Sequence, residues 1–256
     1  MAFDVAGNAY QRFMGQFSDR LSAPFADFAG VNGGSGMRVV DVGCGPGALT
    51  VELVDRLGTS AVAGADPSES FVAAARSRLP DVDIRRAPAE ALPFEDDAFD
   101  AALAQLVVHF MKDPPAGVGE MARVTRPGGV VAACVWDHAG GRGPVSIFWS
   151  AVAEADPAAP DEGSLTGASE GQLVSLFRSC GLEDVEGAEI TASRAYASFE
   201  DWWEPYTLGV GPAGDYVRSI DDATRDRVIA ACRRRVPDGE FTLDATAWAA
   251  RGRVPS

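Results

Sequence analysis

A chain of 256 residues with 46% hydrophobic content suffices for one sizeable core and is short for two, so a single domain over residues 1–256 is expected. Its net charge of −15, from 22 basic and 37 acidic residues, lacks the basic footprint that neutralises phosphates and argues against nucleic acid as a partner. Cys44, Cys134, Cys180 and Cys232 are dispersed, with no C-x-x-C pair and no histidine cluster, which argues against a metal site and a disulfide framework.

In chain order, residues 1–36 read as a helical arm, in which Tyr10, Phe13, Met14 and Phe17 recur near helical spacing. The polar amino terminus has no secretory apolar region, and no stretch approaches the ~20 apolar residues that span a bilayer. A cytoplasmic protein without membrane association is expected. Residues 37–42, 61–66, 82–87, 100–108 and 128–136 are short apolar strand signals separated by windows suited to helices. Helices are expected at about 144–155 and 169–180, on either side of a Pro/Ala/Gly-rich loop at 155–169. A sixth strand follows at 181–190, a helical insert at about 198–236, and a last strand at 239–252. That order predicts an α/β fold with a doubly wound, mostly parallel seven-stranded sheet. Residues 37–137 would be its ligand-binding core and 138–256 its substrate-side half.

The most informative segment is VVDVGCGPGALT, residues 39–50, where a strand ends on Asp41 and runs into Gly43, Gly45 and Gly47. Residues without Cβ let the chain turn sharply and approach a nucleotide-like ligand before a helix begins. Cys44 lies within this turn. A dinucleotide fingerprint would use Gly43, Gly45 and Ala48, but Pro46 interrupts it, and Asp41 suits a cationic ligand better than a pyrophosphate. An oxidoreductase using NAD(P) is therefore the weaker reading. About twenty residues on, Asp66 closes the second strand, followed by Pro67 and the helix-capping Ser68. An ionised Asp only accepts hydrogen bonds, so it can hold both hydroxyls of a ribose. Asp41, Asp66, Ala89 and Gln105 all fall at strand ends, where ligands lie in such sheets.

The pattern D-x-G-x-G-x-G over residues 41–47 resembles motif I of the class I S-adenosylmethionine-dependent methyltransferases. Residues 85–110, RRAPAEALPFEDDAFDAALAQLVVHF, and 120–136, EMARVTRPGGVVAACVW, extend the resemblance to the small-molecule ubiquinone/menaquinone-biosynthesis type, over about residues 8–137. The resemblance implies a Rossmann-like fold, S-adenosyl-L-methionine as cofactor, S-adenosyl-L-homocysteine as product, and in-line methyl transfer to a small-molecule acceptor. It implies cofactor contacts from Asp41, Gly43, Cys44, Gly45, Gly47, Asp66, Pro67 and Gln105, and from Tyr10 and Met14 of an arm over the methionine end. The family's Asp-Ala pair at the adenine is Pro88-Ala89 here. Pro88 offers neither carboxylate nor N–H, which leaves the Ala89 backbone and Glu90. The N-P-P-Y turn of DNA amino-methyltransferases is absent after the fourth strand.

Trp202, Trp203 and Tyr206 in the insert are candidates for a substrate pocket or, equally, for anchoring a helix pair. His109, at the mouth of the crevice, is a further pocket candidate and a candidate general base ahead of His138, and no catalytic residue is assigned. The acidic balance disfavours strongly anionic acceptors unless an arginine such as Arg142 or Arg194 compensates. A protein that binds the cofactor without transferring methyl fits the same residues. The sequence does not reveal the attacking atom, the acceptor or the oligomeric state.

Overall fold

The computed structural model describes residues 9, 11–159 and 162–256. Strands β1 (Val39–Val42), β2 (Val62–Asp66) and β4 (Phe99–Gln105) are short, apolar and almost wholly buried, as strands covered on both faces must be. With β3 (Asp83–Arg86), β5 (Thr125–Trp136), β6 (Glu183–Tyr196) and β7 (Phe241–Arg253) they form one sheet in the order β3-β2-β1-β4-β5-β7-β6. β1 through β5 run parallel, and β7 is antiparallel to both its neighbours. The strand order reverses between β1 and β4, which opens a crevice at their carboxyl ends.

Helices cover both faces. Phe17, Leu21 and Phe25 of α1 (Gln16–Phe28) and Leu49 and Leu53 of α2 (Ala48–Leu57) pack on one face with Val39 and Leu103. Val118 and Met121 of α4 (Pro114–Val124) pack on the other with Val40, Ala102 and Phe177. Between them in the chain, α3 (Glu69–Arg78) opens on Ser68, whose Oγ accepts from Phe71 N as an N-cap should. Two helices of the second half follow, α5 (Ser146–Ala155) and α6 (Gln172–Ser179).

The sixth strand runs to Tyr196, six residues beyond the predicted end. Its outer half alternates strictly, with Ile190, Ala192, Arg194 and Tyr196 buried and the residues between them exposed. The inward Arg194 interrupts what would otherwise be an apolar alternation, so this extension carries no plain strand signal. The insert folds as α7 (Phe199–Trp203), a short 3-10 turn at Glu204–Leu208, α8 (Gly211–Ser219) and α9 (Asp222–Arg233). α9 packs on α5. The arm enters α1 through a π-helical turn, Gln11–Gly15, which meets the insert where Phe13 sets its ring edge-on to Tyr206, with centroids 5.0 Å apart. Arg12 and Glu204 form an ion pair across the same junction.

Candidate active site

β2 and β4 deliver their last residues, Asp66 and Gln105, to the crevice. Gly43 and Gly45 turn the chain out of β1 with φ of 72° and 53°. A Cβ on Gly43 would stand 2.4 Å from Val107 Cγ2, so only glycine lets this turn pass beneath the loop after β4. The N–H groups of Gly43 and Cys44 both donate to Ala65 O, at 2.7 and 3.0 Å, which fixes the turn to β2. Asp66 completes the frame. Its Oδ2 accepts from Gly45 N at 2.9 Å and its Oδ1 from Ser68 N at 2.8 Å. A carboxylate oxygen retains further acceptor capacity after one such bond, so Asp66 is both a brace for the turn and an open acceptor. Burial pushes its pKa up, against the pull of those two amides.

A cavity of about 560 Å³ lies on this frame, lined among others by Gly43, Gly45, Asp66, Pro67, Ala89, Glu90 and Gln105. Phe71 and Met111 supply apolar walls that sequence reasoning did not foresee. Glu90 is tied down locally, since its Oε1 accepts from the N–H groups of Lys112 and Asp113 at 2.7 and 3.2 Å. A smaller void of about 30 Å³ opens off the turn between Asp41, Cys44, Gln105 and Ser18 of α1. There Asp41 accepts from Thr50 Oγ1 at 2.7 Å, and burial raises its pKa to about 7. Gln105 Nε2 donates to Ser18 O and Ser22 Oγ, while Gln105 Oε1 is buried and without a partner among the described residues. Thr50 and Ser18 were missed, because their meeting with strand ends is a product of packing. Gly47 sits apart from both cavities, as the left-handed N-cap of α2 beside Leu79. Cys44 is buried, with its thiol pKa raised by desolvation and by Asp41, so it is not a reactive nucleophile.

A second, apolar cavity of about 50 Å³ adjoins the first through Leu106 and Phe110, which line both. Met14, Phe13, His109, Trp136, His138 and the first turn of α8 enclose it. Met14 therefore faces this cavity and is not on the wall of the larger one. Leu106 adopts φ 63°, a conformation that costs a branched side chain about 1 kcal/mol or more and that turns the chain sharply off β4. His109 and His138 face each other with ring centroids 6.0 Å apart. Burial lowers their pKa values to about 3 and about 4, so both imidazoles are neutral near pH 7. His109 Nδ1 is buried and unpartnered, which is consistent with a neutral ring and gives it little basicity.

Three of the expected pocket residues are on the wall of neither larger cavity. Trp202 and Tyr206 are 1% and 3% exposed and sit in the core with Phe148 and Phe199. They border a void of only about 10 Å³, and Trp203 lies near-parallel to Phe199 beside them. In this structure the three rings anchor the insert, because large flat side chains gain most by mutual burial. Tyr10, expected at the methionine end of the cofactor, is outside the described residues.

With this geometry in view, comparison with known proteins is decisive for the core. Residues 40–133 match the family model described as a methyltransferase domain. Residues 40–133 are a methyltransferase domain. The chain is 35% identical over 103 residues to a demethylmenaquinone methyltransferase of Renibacterium salmoninarum, a match covering 40% of this chain and 43% of that protein. It is 34% identical over 137 residues to an uncharacterized methyltransferase of Mycobacterium tuberculosis, covering 54% and 52%. The matches thus span about half or less of these relatives' lengths. The domain's fold also matches the crystal structure of geranyl diphosphate C-methyltransferase from Streptomyces coelicolor. The TM-score is 0.53 at 17% identity, over 91% of this chain and 75% of that one. At such identity the likeness establishes the architecture alone. Among the described residues of the chain, no helix is long and apolar enough to cross a membrane.

Proposed function

We propose that the protein transfers the methyl group of S-adenosyl-L-methionine to a small-molecule acceptor seated in the second cavity. The observation that carries this reading is the junction of the two cavities at Leu106 and Phe110, with the strand-end carboxylates on one side only. The residues present fit the cofactor. Asp66 would accept from the two ribose hydroxyls, and the glycine turn admits the chain of the nucleoside without a Cβ in the way. Asp41 and the unpartnered Gln105 Oε1 offer acceptors for an ammonium group, under the cover of Ser18. Pro88 leaves the adenine edge to the Ala89 backbone, with Phe71 and Met111 as walls. Bound there, the cofactor would supply an electrophilic sulfonium methyl whose thioether leaving group departs neutral.

The protein's own part is then orientation and exclusion of water. Phe13, Met14, Trp136 and Val145 form a dry wall around the acceptor, and such alignment is worth up to about 7–11 kcal/mol of barrier in favourable cases. A neutral His109 can accept a hydrogen bond from an acceptor hydroxyl or amine but holds no proton to give. A net charge of −15 and an apolar second cavity both favour a small molecule over nucleic acid.

The test is calorimetric titration with S-adenosylhomocysteine, with NADH as control. Saturable one-site binding with NADH silent is expected. Asp66→Ala should weaken it by about a hundredfold or more, as two charge-assisted bonds would require, with the domain still folded. Undiminished affinity in a folded D66A protein would remove the ribose assignment, and product formation with any acceptor separates transfer from mere binding.

A further inference from the structure

We infer that Arg194 is an acceptor-binding residue and that the acceptor is an apolar molecule bearing one carboxylate. The inference rests on the transfer reading above and deepens it. Arg194 is 4% exposed, and among the described residues it is the one buried arginine. Arg56, Arg123, Arg142 and Arg251, all better exposed, each contact a carboxylate within 4.0 Å, whereas among the described residues Arg194 contacts none. Its Nη1 reaches the carbonyls of Arg12 and Phe13 at 3.4 Å each, at the outer limit of a hydrogen bond. Its Nε has no partner, and its guanidinium lies 4.3 Å from the ring centroid of Tyr196. Burying charge without a carboxylate in contact is costly, so a guanidinium held by two long carbonyl bonds and by Tyr196, with its Nε unpartnered, keeps capacity for an anion.

The position of the guanidinium indicates what would complete it. The void beside Arg194 shares Phe13, Met14 and Val145 with the second cavity, which in turn meets the cofactor cavity at Leu106. The cofactor cavity, the second cavity and the void at Arg194 therefore lie in a row and share wall residues, with the fork-shaped cation at the far end and Glu162, bonded by Trp149 Nε1, on the middle wall. A single guanidinium compensates one negative charge, so a carboxylate fits better than a dianionic phosphate. The void measures about 10 Å³, less than a carboxylate needs. Entry thus requires the π-helical turn Gln11–Gly15 to withdraw its two carbonyls, and the incoming oxygens take over Nη1 and Nε. Irregular turns of this kind recur at functional sites, where they exchange backbone bonds at low cost. Arg194 thereby links acceptor binding to the placement of the arm.

The experiment uses the whole chain saturated with S-adenosylhomocysteine, titrated by calorimetry with octanoate and 4-phenylbutanoate, each against its primary amide. Binding of at least one acid about tenfold or more tighter than its amide is expected. R194Q should erase that preference while S-adenosylhomocysteine binds as in the wild type, and R194K should keep part of it. Equal affinity of acids and amides, silence of all four probes on protein that binds S-adenosylhomocysteine, or a preference that survives in R194Q would each overturn the assignment. If R194Q does not fold, the acid-against-amide comparison on the wild type decides between the two outcomes. Failure of the transfer reading itself would show separately, as wild-type protein that does not bind S-adenosylhomocysteine.

Discussion

Asp41 is 1% exposed, and its carboxyl receives one side-chain bond, from Thr50. Burial raises its pKa to about 7 despite that bond, and the neighbouring Asp66 adds to the rise. A carboxyl whose folded pKa exceeds its unfolded value holds its proton longer in the native state. Its contribution to stability is therefore intact at low pH and is lost as pH climbs from about 4 towards 7. A cation bound beside it reverses the preference and expels the proton. Titration of S-adenosylhomocysteine at pH 6.5 should accordingly release between about half and one proton, read from the dependence of the heat on buffer ionisation enthalpy. The release should vanish near pH 9 and in Asp41→Asn. Heat that is independent of buffer at pH 6.5 would mean that Asp41 does not face the ligand's ammonium.

At the scale of elements, Arg251 Nη1 on Phe28 O and Arg20 Nη1 on Ser193 O tie the arm to β7 and β6, and Gln105 ties it to the middle of the sheet. Gln105, the last residue of β4, donates to Ser18 O at 3.0 Å and to Ser22 Oγ at 3.2 Å, both on α1. Removing this buried donor loses two hydrogen bonds, while Ser18 O keeps the one it accepts from Ser22 Oγ, so the cost is about 1–3 kcal/mol. Gln105→Ala should lower the unfolding free energy by that amount, read as a lower urea midpoint at unchanged m value, and amides of α1 should exchange faster before those of the sheet. A uniform rise in exchange would mean that α1 is not a separately opening element. Cofactor affinity should fall as well, since Ser18 and Gln105 bound the same small void as Asp41. The long β6–β7 hairpin matters on this scale too, because its extension to Tyr196 and Phe241 carries Arg194 under the arm.

For the whole molecule, the excess of 37 acidic over 22 basic residues sets a negative field around the crevice. S-adenosylmethionine carries one net positive charge and S-adenosylhomocysteine none, so the field assists the entry of the first and is indifferent to the second. Raising salt from about 0.05 to 0.5 M should slow association of S-adenosylmethionine several-fold and leave S-adenosylhomocysteine nearly unchanged, measured by stopped-flow fluorescence. Equal salt dependence of the two would show that surface charge plays no part in capture.

The glycine turn after Asp41, the second carboxylate at Asp66 and the alternation of apolar strands with helical windows are local signals. They were legible because each is written in adjacent residues: a positive φ needs glycine, a strand end needs its apolar run, and a helix start needs its cap. Residue order therefore determined the strand sequence and placed Asp66 and Gln105 at strand ends, whereas Asp41, also expected there, lies one residue inside the end of β1, and Ala89 lies three residues beyond β3. Contacts between residues far apart in the chain left no such mark. That Trp202 and Tyr206 pack into the core, that Met14 faces the second cavity, that Thr50 and Ser18 meet strand ends and that Arg194 points inward without a carboxylate were decided by the tertiary structure alone. The reason is that burial belongs to the packed surface a side chain meets, and no spacing within the chain specifies which surface that is.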